Sequence, residues 1–179
     1  MAEHGSSARV LATMSAAALA ALGATAPIAR PAAAESPALL QCQGTETVAY
    51  RPGVLLRPRN IRITTSGRFG SCADGQGAVT GGSYEERFTI FAGCDDLLDG
   101  FHARRTFRWS TGDASVVDAT GSSTALAGQI ITTISGRVVQ GRFLGRTAIQ
   151  TITVPQPSAV RCLTMGLTSA TGATTLSVT

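Results

Sequence analysis

Apolar and polar positions alternate in short runs along most of the chain, and glycine, proline or aspartate closes each run. Residues 45–50 form the first run, stopped by Arg51-Pro52-Gly53, and residues 61–65 the second, preceded by Pro58. After turn signals at Asp74-Gly75-Gln76-Gly77 and Gly81-Gly82 comes a third run at 84–91. In Thr106-Phe107-Arg108-Trp109, the two-residue period puts Phe107 and Trp109 on one face. Runs at 114–119, 130–134, 137–140 and 147–154 follow, punctuated by Gly136, Gly141 and Gly145. A strand at 160–165 carries Cys162, and a last one at 174–179 turns Leu176 and Val178 inward. Residues 95–100 suit a single helical turn. Some eight to ten short strands, about 8–12 residues apart, predict an all-β fold, an antiparallel β-sandwich of jelly-roll or immunoglobulin-like type.

A segment of a different kind precedes these strands. Residues 1–9 are a short polar start with one arginine, Arg9, and residues 10–28 are uncharged and dominated by alanine. Pro31-Ala32-Ala33-Ala34 then places small residues where a signal peptidase reads. The expectation is a signal peptide over 1–34, cut between Ala34 and Glu35, a flexible leader at 35–41 and one domain at 42–179. Arg9 stands alone, against a twin-arginine route, and Gln41 before Cys42 argues against lipidation. No later stretch is long and apolar enough for a membrane-spanning helix. A secreted, extracellular protein with no membrane span after cleavage is the reading.

Four cysteines fall in the exported part: Cys42, Cys72, Cys94 and Cys162. There is no Cys-x-x-Cys, and His102 is the one histidine beyond the signal segment. Zinc binding and thiol redox chemistry therefore give way to two structural disulfides. Pairing Cys42 with Cys72 and Cys94 with Cys162 pins both termini to the central sheet. The nested alternative, Cys72 with Cys94 and Cys42 with Cys162, stays open.

Charge adds an exclusion. Only 15% of residues are charged, and the net charge is +4 with 15 arginines and no lysine. The arginines are scattered, Arg104-Arg105 being the one doublet, so no basic stripe points to nucleic acid.

Cys42-Gln43-Gly44-Thr45 leading to Tyr50-Arg51-Pro52-Gly53 resembles the opening of a group of secreted, uncharacterised all-β proteins of actinobacteria. Thr106-Phe107-Arg108-Trp109-Ser110-Thr111-Gly112, the stretch 136–145 and a cysteine-bearing strand before a threonine-rich one are similar to the same group. The resemblance covers about 42–179. It implies a bacterial exported β-domain and carries over no activity or catalytic residue.

Candidate chemistry is sparse. His102 lies beside Arg104 and Arg105, which disfavour the imidazolium a nucleophilic triad must form, and no Gly-x-Ser-x-Gly elbow is present; it reads as a surface loop histidine. Glu85 and Glu86 are adjacent in a strand and point to opposite faces. Asp95, Asp96 and Asp99 offer oxygen ligands for calcium, but capping of a short helical turn or pairing with Arg104 and Arg105 is simpler. Tyr50 and Trp109 could form a ligand platform, although Trp109 in register with Phe107 reads as core. Thr132, Thr133, Thr151 and Thr153 read as outer-face strand residues. No catalytic, metal or cofactor residue is assigned. The expectation is a non-enzymatic binding or interaction protein with an unknown protein or polysaccharide partner, acting at the cell envelope or outside it. One alternative is an exported inhibitor of a protease or other hydrolase, presenting a loop at 51–60 or 95–103. Another is a glycoside-type hydrolase using acidic residues, which calls for a deep acidic cleft with a carboxyl of raised pKa.

Overall fold

The computed structural model describes residues 39–179. The expected signal peptide, its cut between Ala34 and Glu35, and most of the leader lie outside the described residues. Eight strands follow one another: β1 (Leu40–Val54), β2 (Arg59–Asp74), β3 (Gly82–Ala92), β4 (Phe101–Trp109), β5 (Ala114–Leu126), β6 (Gln129–Gly141), β7 (Thr147–Pro155) and β8 (Leu167–Val178). A 3-10 turn at Asp95–Leu98 joins β3 to β4, and a short helix, α1 (Ala159–Leu163), joins β7 to β8. Each strand pairs antiparallel with the next, and β8 returns to β1, from Leu40 opposite Val178 to Ala49 opposite Ser169. The result is a closed up-and-down barrel.

The sandwich expectation is thereby corrected. Inward–outward alternation is the same in a sandwich and in a barrel, so the pattern of single strands does not separate them. Strand length does bear on it. β1 and β2 run 15 and 16 residues, against a usual five or six or so, and long twisted strands coil until the sheet meets itself.

Three local readings change as well. Arg51-Pro52-Gly53 lies inside β1 rather than ending it. There β1 has left both ladders, since pairing with β2 stops at Arg51 and pairing with β8 is interrupted between Ala49 and Val54. Pro52 therefore has no ladder N–H to supply. Gly136 does not separate two strands but sits within β6, where an added Cβ would meet the Asp118 carbonyl oxygen at 2.1 Å. Residues 160–165 form most of α1 and its exit, because Pro155 and Pro157 end β7 and the Ser158 hydroxyl accepts from the Arg161 N–H at 3.3 Å as an N-cap.

One half of the barrel is filled. Leu40, Phe69, Phe107, Trp109, Val138, Leu176 and Val178 are all buried there. The rings of Phe69, Tyr84, Phe107, Trp109 and Phe143 run in sequence with centroids 5.4–6.0 Å apart, a spacing that favours aromatic contact. Inward glycines on the neighbouring strand make room for these rings. Gly67 is directly across from Tyr84 and Gly82 from Trp109, and a Cβ at either would strike the ring at 2.0 and 2.8 Å.

Charged groups lock the connections at this end. Arg142, after β6, reaches Asp74 at the end of β2 at 3.1 Å and Asp113 before β5 at 3.3 Å. Asp74 also accepts from the backbone N–H groups of Gln76 and Val79 at 3.0 and 3.1 Å. Two disulfides are present, Cys42–Cys72 and Cys94–Cys162. The first joins residues directly opposite in the β1–β2 ladder at the filled end. The second ties the start of the 3-10 turn to α1 at the other end, and the nested pairing is excluded.

The Asp74 carboxyl is held below its ordinary value of 3.8, first by the Gln76 N–H and further by Val79 and Arg142. A lowered folded pKa gives stability that is present above 3.8 and lost as pH falls through the folded value. Asp74→Ala is expected to lower unfolding free energy at neutral pH by about 2–4 kcal/mol, since it takes the acceptor from the Gln76 and Val79 N–H groups and leaves Arg142 with Asp113 alone. Urea titration across acid pH should show the gap between variant and wild type closing as pH falls. A constant gap would contradict the assignment.

Candidate functional site

The other half of the barrel is not filled. At this level β4, β5 and β8 turn small residues inward, Ala103, Ser123 and Ala170, where the filled half has Phe107, Val117 and Leu176. A cavity of about 660 Å³ results. Val48, Ile63, Ile90, Ile134, Ile152 and Val154 supply apolar walls from five strands. Val54, Ile61, Ile63 and Leu167 pack beneath Leu97 of the 3-10 turn and close one side of the mouth.

The cavity also meets a gap in the wall. β3 and β4 pair only through Gly82–Trp109 and Ser83–Arg108, at the filled end. Beyond that their backbones are not laddered, and the cavity is lined by inward Glu86 together with outward Glu85, Arg87, His102 and Arg104. Phe88, Phe91, Leu98 and Phe101, all 36–70% exposed, flank this seam and the mouth.

A polar layer forms the floor. Arg105, 5% exposed, donates through Nε and Nη2 to Glu86 Oε2 at 3.0 and 2.6 Å and through Nη1 to Gln150 Oε1 at 2.6 Å. Its Nη1 lies 3.6 Å from Glu46 Oε2, and its guanidinium sits over the Tyr84 ring, 4.4 Å from the centroid. The Tyr84 hydroxyl donates to Glu46 Oε2. Gln150 Nε2 donates to Tyr84 at 2.7 Å and to Thr174 at 2.8 Å. Five strands thus meet in one network.

Burial sets the electrostatics of this layer. It raises the Glu46 carboxyl above its ordinary value, against the lowering pull of Arg105 and the Tyr84 bond. Tyr84 is raised by burial and then by the charge of Glu46, and Tyr50 by the same causes to about 12. Both phenols therefore stay neutral at physiological pH. For Arg105 burial works against the charge, but the hydrogen bond and charge of Glu86, and then Glu46, outweigh it.

The structure sorts the residues singled out in the sequence. Trp109 is core, its Nε1 donating to Ser115 Oγ at 2.9 Å, while Tyr50 is half-buried and lines the cavity; the two do not form one platform. His102 is exposed, as expected, but lies on β4 rather than in a loop. Glu85 and Glu86 do face opposite sides. Asp96 accepts from the Gly93 N–H at 2.7 Å just ahead of the 3-10 turn, whose N-cap, Cys94, makes no side-chain cap bond. Among the described residues no group of three or more His, Cys, Asp or Glu is placed to hold a metal. Thr132 is not on the outer face with Thr133, Thr151 and Thr153; it turns inward and shares a hydrogen bond with Ser123 at 2.8 Å.

The floor itself, Glu46, Tyr84, Arg105 and Gln150, was not singled out. Its signal lies in register. Glu46 shares a face with Val48 and Tyr50, Arg105 with Phe107 and Trp109, and Gln150 with Ala148 and Ile152. Polar residues in core register mark an internal polar layer. No family model, curated protein or solved structure matches the chain.

Glu46 yields a signed prediction. Because its folded pKa is raised, its contribution to stability is full below its ordinary 4.5 and is lost as pH rises through the folded value. Glu46→Gln keeps the shape and is neutral throughout. The unfolding free energy of the variant, relative to wild type, should therefore rise as pH is taken from about 4 to about 8. Urea curves at each pH measure this, and a difference falling with pH would show Glu46 ionised at no cost beside Arg105.

Proposed function

We propose that the protein is a secreted binding protein that holds one small, mainly apolar molecule inside its barrel. The observation that carries this reading is the unfilled half of the barrel, with apolar walls above a floor of buried charge. Eight-stranded barrels are just wide enough to be filled by side chains or to hold one small ligand. A cavity of about 660 Å³ lies within the roughly 300–1,000 Å³ of small-molecule sites. The two disulfides are consistent with an oxidising, extracellular setting, and the export signal and the resemblance to actinobacterial secreted proteins support secretion.

An inhibitor reading finds less support. Between Val54 and Arg59 only four residues lie outside strands, and this loop is braced by Leu56 N–H to Cys162 and Cys94 N–H to Leu55, at 3.0 and 2.9 Å. Such a loop closes the barrel mouth rather than projecting from it. A second reading, acid–base catalysis on the bound molecule, rests on Glu46, a carboxyl of raised pKa beside a tyrosine hydroxyl in a largely apolar cavity. Mass spectrometry of a ligand recovered after long incubation separates the two, since a carrier returns it unchanged.

The binding reading is tested with N-phenyl-1-naphthylamine, neutral at pH 7 and emissive in apolar surroundings. One molecule per chain should bind, and at a hundredfold excess over Kd unfolding should become harder by about 2.7 kcal/mol. Ala103→Phe, which places a ring in the cavity, should abolish binding while emission from the single tryptophan, Trp109, in the filled half stays native. Undiminished binding by that variant would sink the proposal.

A further inference from the structure

We propose that the ligand's polar group is a protonated amine, seated against Glu46 and Glu86 at the cavity floor with the apolar body between the walls above. This rests on the reading of the barrel as a binding site and names the class of molecule it takes.

The first ground is which groups of the floor still lack partners. Every nitrogen of Arg105 is engaged, by Glu86, by Gln150 and by the ion pair with Glu46. The Tyr84 hydroxyl gives its hydrogen to Glu46, and both hydrogens of Gln150 Nε2 go to Tyr84 and Thr174. Among the described residues neither Glu46 Oε1 nor Glu86 Oε1 receives a hydrogen bond. Glu46 is a carboxylate with a side chain only 4% exposed, and it lines the cavity. An acceptor left open on a cavity can take a hydrogen bond from a donor bound there. An anionic head would instead bring a third negative charge to a floor where two carboxyls already share one guanidinium.

The second ground is charge. Five of the chain's 11 acidic residues line the cavity, but only three of its 15 arginines do. The cavity is therefore net acidic in a chain whose net charge is +4. A preference for cations cannot come from the overall field, which attracts anions, and must come from the site. Within the floor, two glutamates face a single guanidinium, so a ligand ammonium supplies the missing positive charge.

The experiment uses three probes with one decyl chain and different heads, decylammonium, 1-decanol and decanoate, displacing N-phenyl-1-naphthylamine at pH 7 below their micellar concentrations. Decylammonium should bind at least tenfold more tightly than decanoate, with decanol between them. Glu46→Gln should cut the ammonium-to-decanoate preference to threefold or less while leaving decanol within twofold. Glu86→Gln should act in the same direction, with Trp109 emission checking that each variant is folded. Equal or tighter binding of decanoate overturns the inference and leaves the barrel reading standing, as does an ammonium preference unchanged in both folded variants. Failure of N-phenyl-1-naphthylamine itself to bind overturns the barrel reading instead.

Discussion

A guanidinium buried in the middle of a barrel must be answered by groups in its own layer, because at 5% exposure it has lost nearly all of its water shell. Arg105 is answered from β1, β3 and β7, by Glu46, Glu86 and Gln150. That requirement fixes the rotation of these strands about their own axes, since a one-residue slip would turn any of the three side chains to solvent. It also divides the interior. On one side of the layer, rings and branched side chains pack without interruption. On the other, small inward residues leave space that no side chain fills. A polar layer of this kind is a costly way to stabilise a fold, and apolar residues of similar volume often do as well. Its presence beside a cavity therefore bears on binding more directly than on stability.

Much of the strand pattern was legible from the sequence because it depends only on a two-residue period. Leu176 and Val178 were expected to face in, as were Phe107 and Trp109 together, and all four are buried. Closure of the barrel was not legible, because it depends on how far strands run and where the last one returns. Glycine misled in one place and was uninformative in others. Gly136 reads locally as a break, but it exists to let β6 pass close to the Asp118 carbonyl. Gly67 carries no local message and Gly82 reads as part of a turn although it opens β3, and the reason for both appears only once Tyr84 and Trp109 lie across them. Proline misled too, since Pro52 falls where β1 has no ladder to maintain.

The candidate site was less legible than the fold for a related reason. A search for chemistry by residue type looks for histidines, acidic clusters and nucleophiles, and here that leads to His102 and the aspartates around Asp96, which sit at the rim or in a turn. The floor residues are ordinary in type and unusual only in register. Arg104-Arg105 shows this well. As a doublet it suggests a patch of surface charge, whereas in a strand it places one arginine outside and the other within the barrel.

The seam between β3 and β4 joins these points. These are the strands that carry Glu86 and Arg105, and past Ser83 and Arg108 no ladder holds them together. The ion pair between them, at 2.6 Å, therefore spans the stretch of wall that lacks backbone pairing. N–H and C=O groups along such edges need other partners, and water reaches them because the cavity runs out between the strands to Glu85 and Arg104. Full pairing of β3 with β4 would add backbone bonds but would seal this flank of the cavity. The disulfide from Cys94 to Cys162 braces the same end, joining the β3–β4 connection to α1 across the mouth. The barrel can thus leave one flank unladdered beside its cavity because a side-chain ion pair and a covalent tie hold the adjoining elements in place.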